Sequence, residues 1–184
     1  MRLLRNSVRF AFIVLAVMLL AAPVTADTQP AGLTPGSSLQ PSNHALQSAA
    51  WSMGELRIPD IDLTETVRLG VSPAVLDQGV GQWVGTSEPG TDGNVVLAGH
   101  RTTYSQPFHD LDDLRVGNPV FMTNSEGDEV LYRVSETLIV DPTDMWITFD
   151  RETPTLTMFA CHPKGSAAQR IVVVAELVSE HRMS

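Results

Sequence analysis

One thiol, one imidazole and one guanidinium stand at the ends of apolar runs in this sequence. Together they outline a cysteine acyl-transfer site. The thiol belongs to Cys161, the only cysteine among 184 residues. It closes a strand-like run, Thr-Leu-Thr-Met-Phe-Ala-Cys at 155–161, and a turn, His-Pro-Lys-Gly-Ser at 162–166, follows. The next apolar run opens with Arg170. Upstream, a buried-looking run, Gly-Asn-Val-Val-Leu-Ala-Gly-His at 93–100, ends in His100.

A thiol attacks a carbonyl as its thiolate, and a free thiol is mostly un-ionised at neutral pH. A neighbouring imidazole supplies the proton path, either as a thiolate–imidazolium pair or as a separate acid. Five histidines compete for that role. His44 lies in a polar N-terminal stretch, His181 in the tail and His109 on an expected short helix. His162 adjoins the cysteine, but adjacent strand residues point to opposite faces. His100 follows Gly99 at a strand end, where the backbone can turn and present the ring, so it is the preferred candidate. If 155–161 and 170–177 form an antiparallel hairpin, Cys161 and Arg170 face each other on one side of the sheet. A guanidinium there could hold a substrate carbonyl or stabilise a tetrahedral oxyanion.

The elements that would position these groups are short. From Glu55 onward, apolar runs alternate with turn signals. Strands are expected at 56–58, 64–69, 93–98, 118–123, 129–140, 155–161 and 170–177. Val130, Tyr132 and Val134 alternate along the longest of them. Short helices are expected at 73–77, behind the Ser72-Pro73 start signal, and at 107–114, where Phe108, Leu111 and Leu114 recur every three residues. About eight strands with two short helices in roughly 130 residues predict a mainly β, closed or nearly closed eight-stranded barrel.

The N-terminus bears on compartment. Arg2, Arg5 and Arg9 precede an apolar run of 13 residues from Phe10 to Ala22, and Val24-Thr25-Ala26 resembles a cleavage site. Residues 1–26 read as a cleaved signal peptide or as a retained signal-anchor. Either places the rest outside the cytoplasmic membrane, with the basic end inside. Residues 27–53, rich in Pro, Gly, Ser, Gln and Asn, read as a flexible tether, and 54–184 as the catalytic domain. A lone exported cysteine forms no internal disulfide, so its retention suggests use, although buried free cysteine is common. Formal charge is −9, and −12 without the three N-terminal arginines. That balance excludes nucleic-acid binding and electrostatic attachment to anionic lipid.

With these residues in place, a family resemblance is visible. The segment 155–163 with Arg170 resembles the sortase signature, in which Thr-Leu-x-Thr-Cys and an arginine eight or nine residues on lie on adjacent strands. The segment ending in Gly99-His100-Arg101 is similar to the one that carries the sortase histidine, and 102–120 match the helix and strand that follow it. The resemblance covers 55–178 and is greatest to class E of actinobacteria; classes D and F also fit. It implies an eight-stranded sortase barrel and a two-step transpeptidation. Cys161 would attack the Thr–Gly bond of a Leu-Pro-x-Thr-Gly or Leu-Ala-x-Thr-Gly sorting signal on a surface protein, and His100 would protonate the leaving amine. Arg170 would hold the peptide or the oxyanion. A peptidoglycan precursor or a pilin lysine would supply the acceptor amine. No metal or organic cofactor is needed for this chemistry, the acidic residues of 142–150 lack EF-hand spacing, and a monomer at the membrane is expected.

Three further residues are candidate substrate contacts. Ala160 stands where the family usually has threonine, so a hydroxyl beside the nucleophile is absent. Tyr104, four residues after His100, would line the groove or pack at the barrel rim. Trp146 lies in the connection that forms a groove wall in sortases, and core packing is its other reading. Two other functions use the same residues: a hydrolase on the same acyl-enzyme route, and a catalytically silent binding barrel. An L,D-transpeptidase would carry Ser-His-Gly-Cys with an arginine two residues later, which is absent here.

Overall fold

The computed structural model describes residues 52–182. The expected signal or anchor segment, and nearly all of the expected tether, lie outside the described residues. Eight strands run through the domain: β1 (Ser52–Ile58), β2 (Leu63–Leu69), β3 (Val80–Gln82), β4 (Asn94–Ala98), β5 (Pro119–Thr123), β6 (Glu129–Val140), β7 (Thr155–His162) and β8 (Gln169–Arg182). They close into a barrel in the order β1-β2-β3-β4-β7-β8-β6-β5. The described residues contain no helix long and apolar enough to cross a membrane.

Closure removes the free strand edges that an open sheet would expose. The seam between β1 and β5 is brief, with Leu56 opposite Met122 and Arg57 opposite Phe121. Arg57 reinforces it, lying 4.0 Å over the Phe121 ring and pairing with Glu129 at 2.7 Å. β2 and β3 run parallel, so a crossover must join them, and it contains the single α-helix of the described residues, α1 (Pro73–Leu76).

Strand periodicity sorts the side chains into two layers. Leu156, Met158 and Ala160 of β7, Ile171, Val173 and Ala175 of β8, and Val95 and Leu97 of β4 fill the barrel with Leu56, Phe108 and Tyr132. The intervening residues face outward. Val172 and Val174 join Val140 and Ile147 in a second apolar cluster, with Phe159 packed against it. All five residues of β4 are buried, because both of its faces are covered.

What covers the outer face is the connection from β6 to β7, which includes a 3-10 turn at Met145–Thr148. Asn94 pins this connection to the barrel. Its side-chain amide donates to the carbonyls of Ile147 at 3.1 Å and Phe149 at 2.9 Å. Its side-chain oxygen accepts from the Thr157 hydroxyl at 2.8 Å, and its backbone N–H donates to Asp150 at 3.1 Å.

The structure differs from the sequence reading in three elements. The helix expected at 107–114 is a series of turns with one 3-10 turn, Leu111–Asp113. Apolar residues every third position suit the three-residue period of a 3-10 turn better than an α-helix. β3 was not expected, because three residues are too few to show alternation. It fits close to the β2 end because Gly81 lacks a side chain: a Cβ there would lie 2.2 Å from the Gly70 carbonyl oxygen. β1 begins at Ser52, two residues inside the stretch read as tether.

Replacing Asn94 by alanine leaves the buried Ile147 carbonyl, the partly buried Phe149 carbonyl and the Thr157 hydroxyl without this partner. The expected loss is about 2 kcal/mol or more, measured by urea unfolding. Hydrogen exchange in 141–150 should accelerate well before exchange in β7 and β8 does. Equal acceleration in all three segments would contradict this local role for Asn94.

Candidate active site

Cys161 and Arg170 are directly opposed residues of the antiparallel β7–β8 pair, so their side chains leave the same side of the sheet. That side is the outer one, since Ala160 and Ile171 point inward. β4 lies on the other side of β7 and runs parallel to it, with Ala98 level with Phe159. The ladder extends one step further, where Gly99 N–H donates to the Phe159 carbonyl at 3.3 Å. Continuing that register by one residue brings His100 level with Cys161, with the parity of the outer face. All three residues are partly exposed, as groups meeting a substrate must be.

Gly99 makes this approach to His100 feasible. A Cβ on it would lie 2.8 Å from the Phe108 ring, and Phe108 is fully buried. The Phe108 N–H returns to the His100 carbonyl at 3.1 Å, closing the loop that follows the histidine. Tyr104, in that loop, stacks its ring on the imidazole with centroids 5.0 Å apart and planes inclined by 27°. His100 Nε2 lies 2.9 Å from Asp77 Oδ1.

Arg170 is held in place by its own loop. Its Nη1 donates to the carbonyls of Ala167 at 3.0 Å and Gln169 at 2.9 Å. The Nε–H and the Nη2 hydrogens remain for an incoming carbonyl or oxyanion. Beside it lies a cavity of about 220 Å³. Trp83, Met145, Ile147 and Phe159 give it an apolar wall, and Asp141 and Asp144 also line it.

Beneath the strand ends is a second cationic group that the sequence reading did not single out. Arg101 is 2% exposed. It donates to His162 Nδ1 at 2.7 Å, to the His109 carbonyl at 3.3 Å and, at 3.5 Å, to the Cys161 carbonyl. Its charge is met by Asp112 at 2.8 Å. A guanidinium only donates, so His162 Nδ1 must be an acceptor and the ring proton sits on Nε2. His162 is thereby committed to the network below Cys161. Lys164 extends the network by pairing with Asp110 at 3.1 Å and Asp112 at 3.4 Å. Asp110 lies below the ordinary aspartate range, chiefly through its hydrogen bond with His109 and then that with Lys164. For Asp112, burial pushes upward, but the hydrogen bond and charge of Arg101, helped by Lys164, prevail and lower it.

Of the sequence candidates, Cys161 and Arg170 are opposed across β7 and β8, and His100 and Tyr104 stack just past the end of the neighbouring β4. Ala160 does not join them. It is 2% exposed inside the barrel, because consecutive strand residues alternate faces, so its methyl group is a core contact and not a groove contact. Trp146 is 45% exposed, so it is not packed in the core, and its neighbours Met145 and Ile147 line the cavity instead. Trp83, Phe159, Asp77 and Arg101 were missed as contributors. Strand parity was a usable signal for Phe159, and none was available for Asp77.

A model of the sortase domain matches residues 56–178. The chain is 31% identical to sortase D of Bacillus subtilis over 130 residues, 68% of this chain and 64% of that protein. It is 28% identical to sortase SrtE1 of Streptomyces coelicolor over 145 residues, 70% of this chain and 41% of that protein. The chain thus spans less than two thirds of the length of either relative. Among solved structures, a variant of sortase E from Streptomyces avermitilis superposes with a TM-score of 0.63 at 29% identity, covering 70% of this chain and 89% of that one.

Loss of Arg101 leaves Asp112 and the His162 ring without their buried partner. Arg101→Ala should destabilise the fold by about 1–3 kcal/mol for each buried acceptor left unpaired. Asp112→Asn should also be destabilising, since it leaves the buried guanidinium without its carboxylate. A folded-state pKa below the unfolded one gives stabilisation that is present above the ordinary aspartate range and lost as pH falls through the folded value. Wild-type stability should therefore decline below about pH 4, and Asp112→Asn should flatten that decline in urea titrations at several pH values.

Proposed function

This chain is a member of the sortase family, and on that footing we propose that it is a cysteine transpeptidase of the cell envelope. The observation that carries the reading is the pairing of Cys161 with Arg170 across β7 and β8, with His100 at the adjoining strand end. Its substrate is the C-terminal sorting signal of a surface protein, of the Leu-Pro-x-Thr-Gly or Leu-Ala-x-Thr-Gly type. The acceptor is an amine of a peptidoglycan precursor or a pilin lysine.

The Cys161 thiolate adds to the threonine carbonyl carbon, and negative charge builds on the oxygen. The free N–H groups of Arg170 are suited to receive that charge, an interaction stronger in the transition state than in the ground state. As the C–N bond breaks, His100 passes a proton to the departing glycine amine, leaving a thioester on Cys161. The acceptor amine then attacks the thioester, gives up a proton to His100 and releases the thiolate. The apolar wall of Trp83, Met145, Ile147 and Phe159 is placed to take the aliphatic part of the signal. Residues 1–26 would hold the protein at the membrane as a monomer, with the barrel outside.

The test is mass spectrometry of the full chain with both peptide types and an oligoglycine amine. A ligated product, absent with Cys161→Ala, is the expected outcome. Cleavage at Thr–Gly without ligation would replace transpeptidation by hydrolysis. No acyl-enzyme and no product across a broad peptide set would favour a silent binding barrel. Arg170→Ala should lower kcat/KM by about 10²–10³. Arg170→Lys should restore only part of it, because an ammonium lacks the planar fork.

A further inference from the structure

We propose that Asp77 is a positioning residue for His100: its carboxylate receives the Nε2 proton and makes Nδ1 the nitrogen that exchanges protons during the reaction. The inference rests on the cysteine chemistry proposed for Cys161 and deepens it.

Three observations support the assignment. Asp77 Oδ1 and His100 Nε2 are 2.9 Å apart, and that is the only polar contact of the Asp77 side chain among the described residues. The carboxylate therefore serves no competing structural partner. Second, its backbone is well held. Asp77 caps α1, with its N–H bonded to the Pro73 carbonyl at 2.9 Å. Val75 and Leu76 of the same turn pack on β3 at Gly81. Third, Tyr104 stacks on the imidazole ring, so a hydrogen bond along one edge and a ring against one face restrict its rotation. Nδ1 has no hydrogen-bond partner among the described residues and is left for the reaction.

The other charged and titratable groups around His100 do not take over this role. Tyr104 offers its ring face. Arg101 turns beneath the strand ends toward His162 and Asp112. Arg170 lies beyond Cys161, on the far strand of the β7–β8 pair. Asp77 is thus the anion in contact with the ring among the described residues. In acylation the proton on Nδ1 moves to the leaving amine while the thioester forms. In the second step the acceptor amine returns a proton to Nδ1. Asp77 remains a carboxylate throughout and keeps the Nε2 proton in place.

The test compares Asp77→Asn and Asp77→Ala with the wild-type full chain. The Asp77 side chain is one-third exposed and bonds only to His100 among the described residues, so both variants should keep the wild-type melting temperature. The expected result is a fall in kcat of roughly tenfold or more, a fraction of what general acid–base catalysis contributes, with peptide KM little changed. Asp77→Glu, which keeps a carboxylate, should recover part of that loss. Because Cys161 is the only cysteine, iodoacetamide labelling gives a readout independent of any peptide, and labelling should slow in both variants. Wild-type kcat with unchanged labelling in both variants would overturn the proposal. So would faster turnover, which would mean that Asp77 holds the ring away from the thiol. A rate loss matched by lost thermal stability, with labelling unchanged, would also overturn it. If wild type turns over no peptide while the labelling difference is present, the role of Asp77 stands and the transpeptidase reading fails.

Discussion

The hydrogen-bonded register between β7 and β8 governs both halves of this domain. Placing Cys161 opposite Arg170 also places Ala160 opposite Ile171. The first pair faces outward toward the groove, and the second fills the barrel. A slip of one residue would exchange the two sets, burying a guanidinium and exposing a row of aliphatic groups. The apolar residues of the core therefore enforce the geometry of the polar ones, although the two sets never share a face. β4 repeats the arrangement on the other side of β7, with Val95 and Leu97 inside and the line to His100 outside.

A buried cation beneath such a site needs a reason, since desolvating a guanidinium is costly unless it is well paired. Arg101 ties together three pieces of chain that meet at this end of the barrel. It follows His100 directly, it reaches Cys161 and His162 on β7, and it bonds to His109 and Asp112 in the turns that follow the histidine loop. Neutral apolar packing could fill the same volume but could not fix the directions of these backbone groups. The network supplies orientation where the barrel core supplies cohesion.

The strands that alternate or run continuously apolar were legible in the sequence, and so was the hairpin that opposes Cys161 and Arg170. Both rest on a two-residue period that survives without three-dimensional information. The same period excluded His162 as a partner of the thiol. Applied to Ala160, it would have excluded that residue as a substrate contact too, because it is also a neighbour of Cys161. β3 carries too few residues to show a pattern. The three-residue spacing in 107–114 suits a 3-10 turn, and it was read as an α-helix. Asp77 was invisible for a different reason. It lies 23 residues from His100 across a crossover and a hairpin, and only the packing of α1 against β3 brings it to the ring.

The connection between β6 and β7 is held unevenly. Its later part, through Ile147, Phe149 and Asp150, is fastened to Asn94, whereas its earlier part is tied mainly to itself, as in the 2.8 Å bond from Asp141 N–H to Asp144. Asp141, Pro142, Asp144 and Met145 all border the cavity beside Arg170. Variation can therefore enter the recognition surface through 141–146 while the fastening, the barrel and the reacting groups stay as they are. On the transpeptidase reading proposed above, grafting that hexapeptide between relatives is a route to new client preferences that leaves the barrel and its register unaltered.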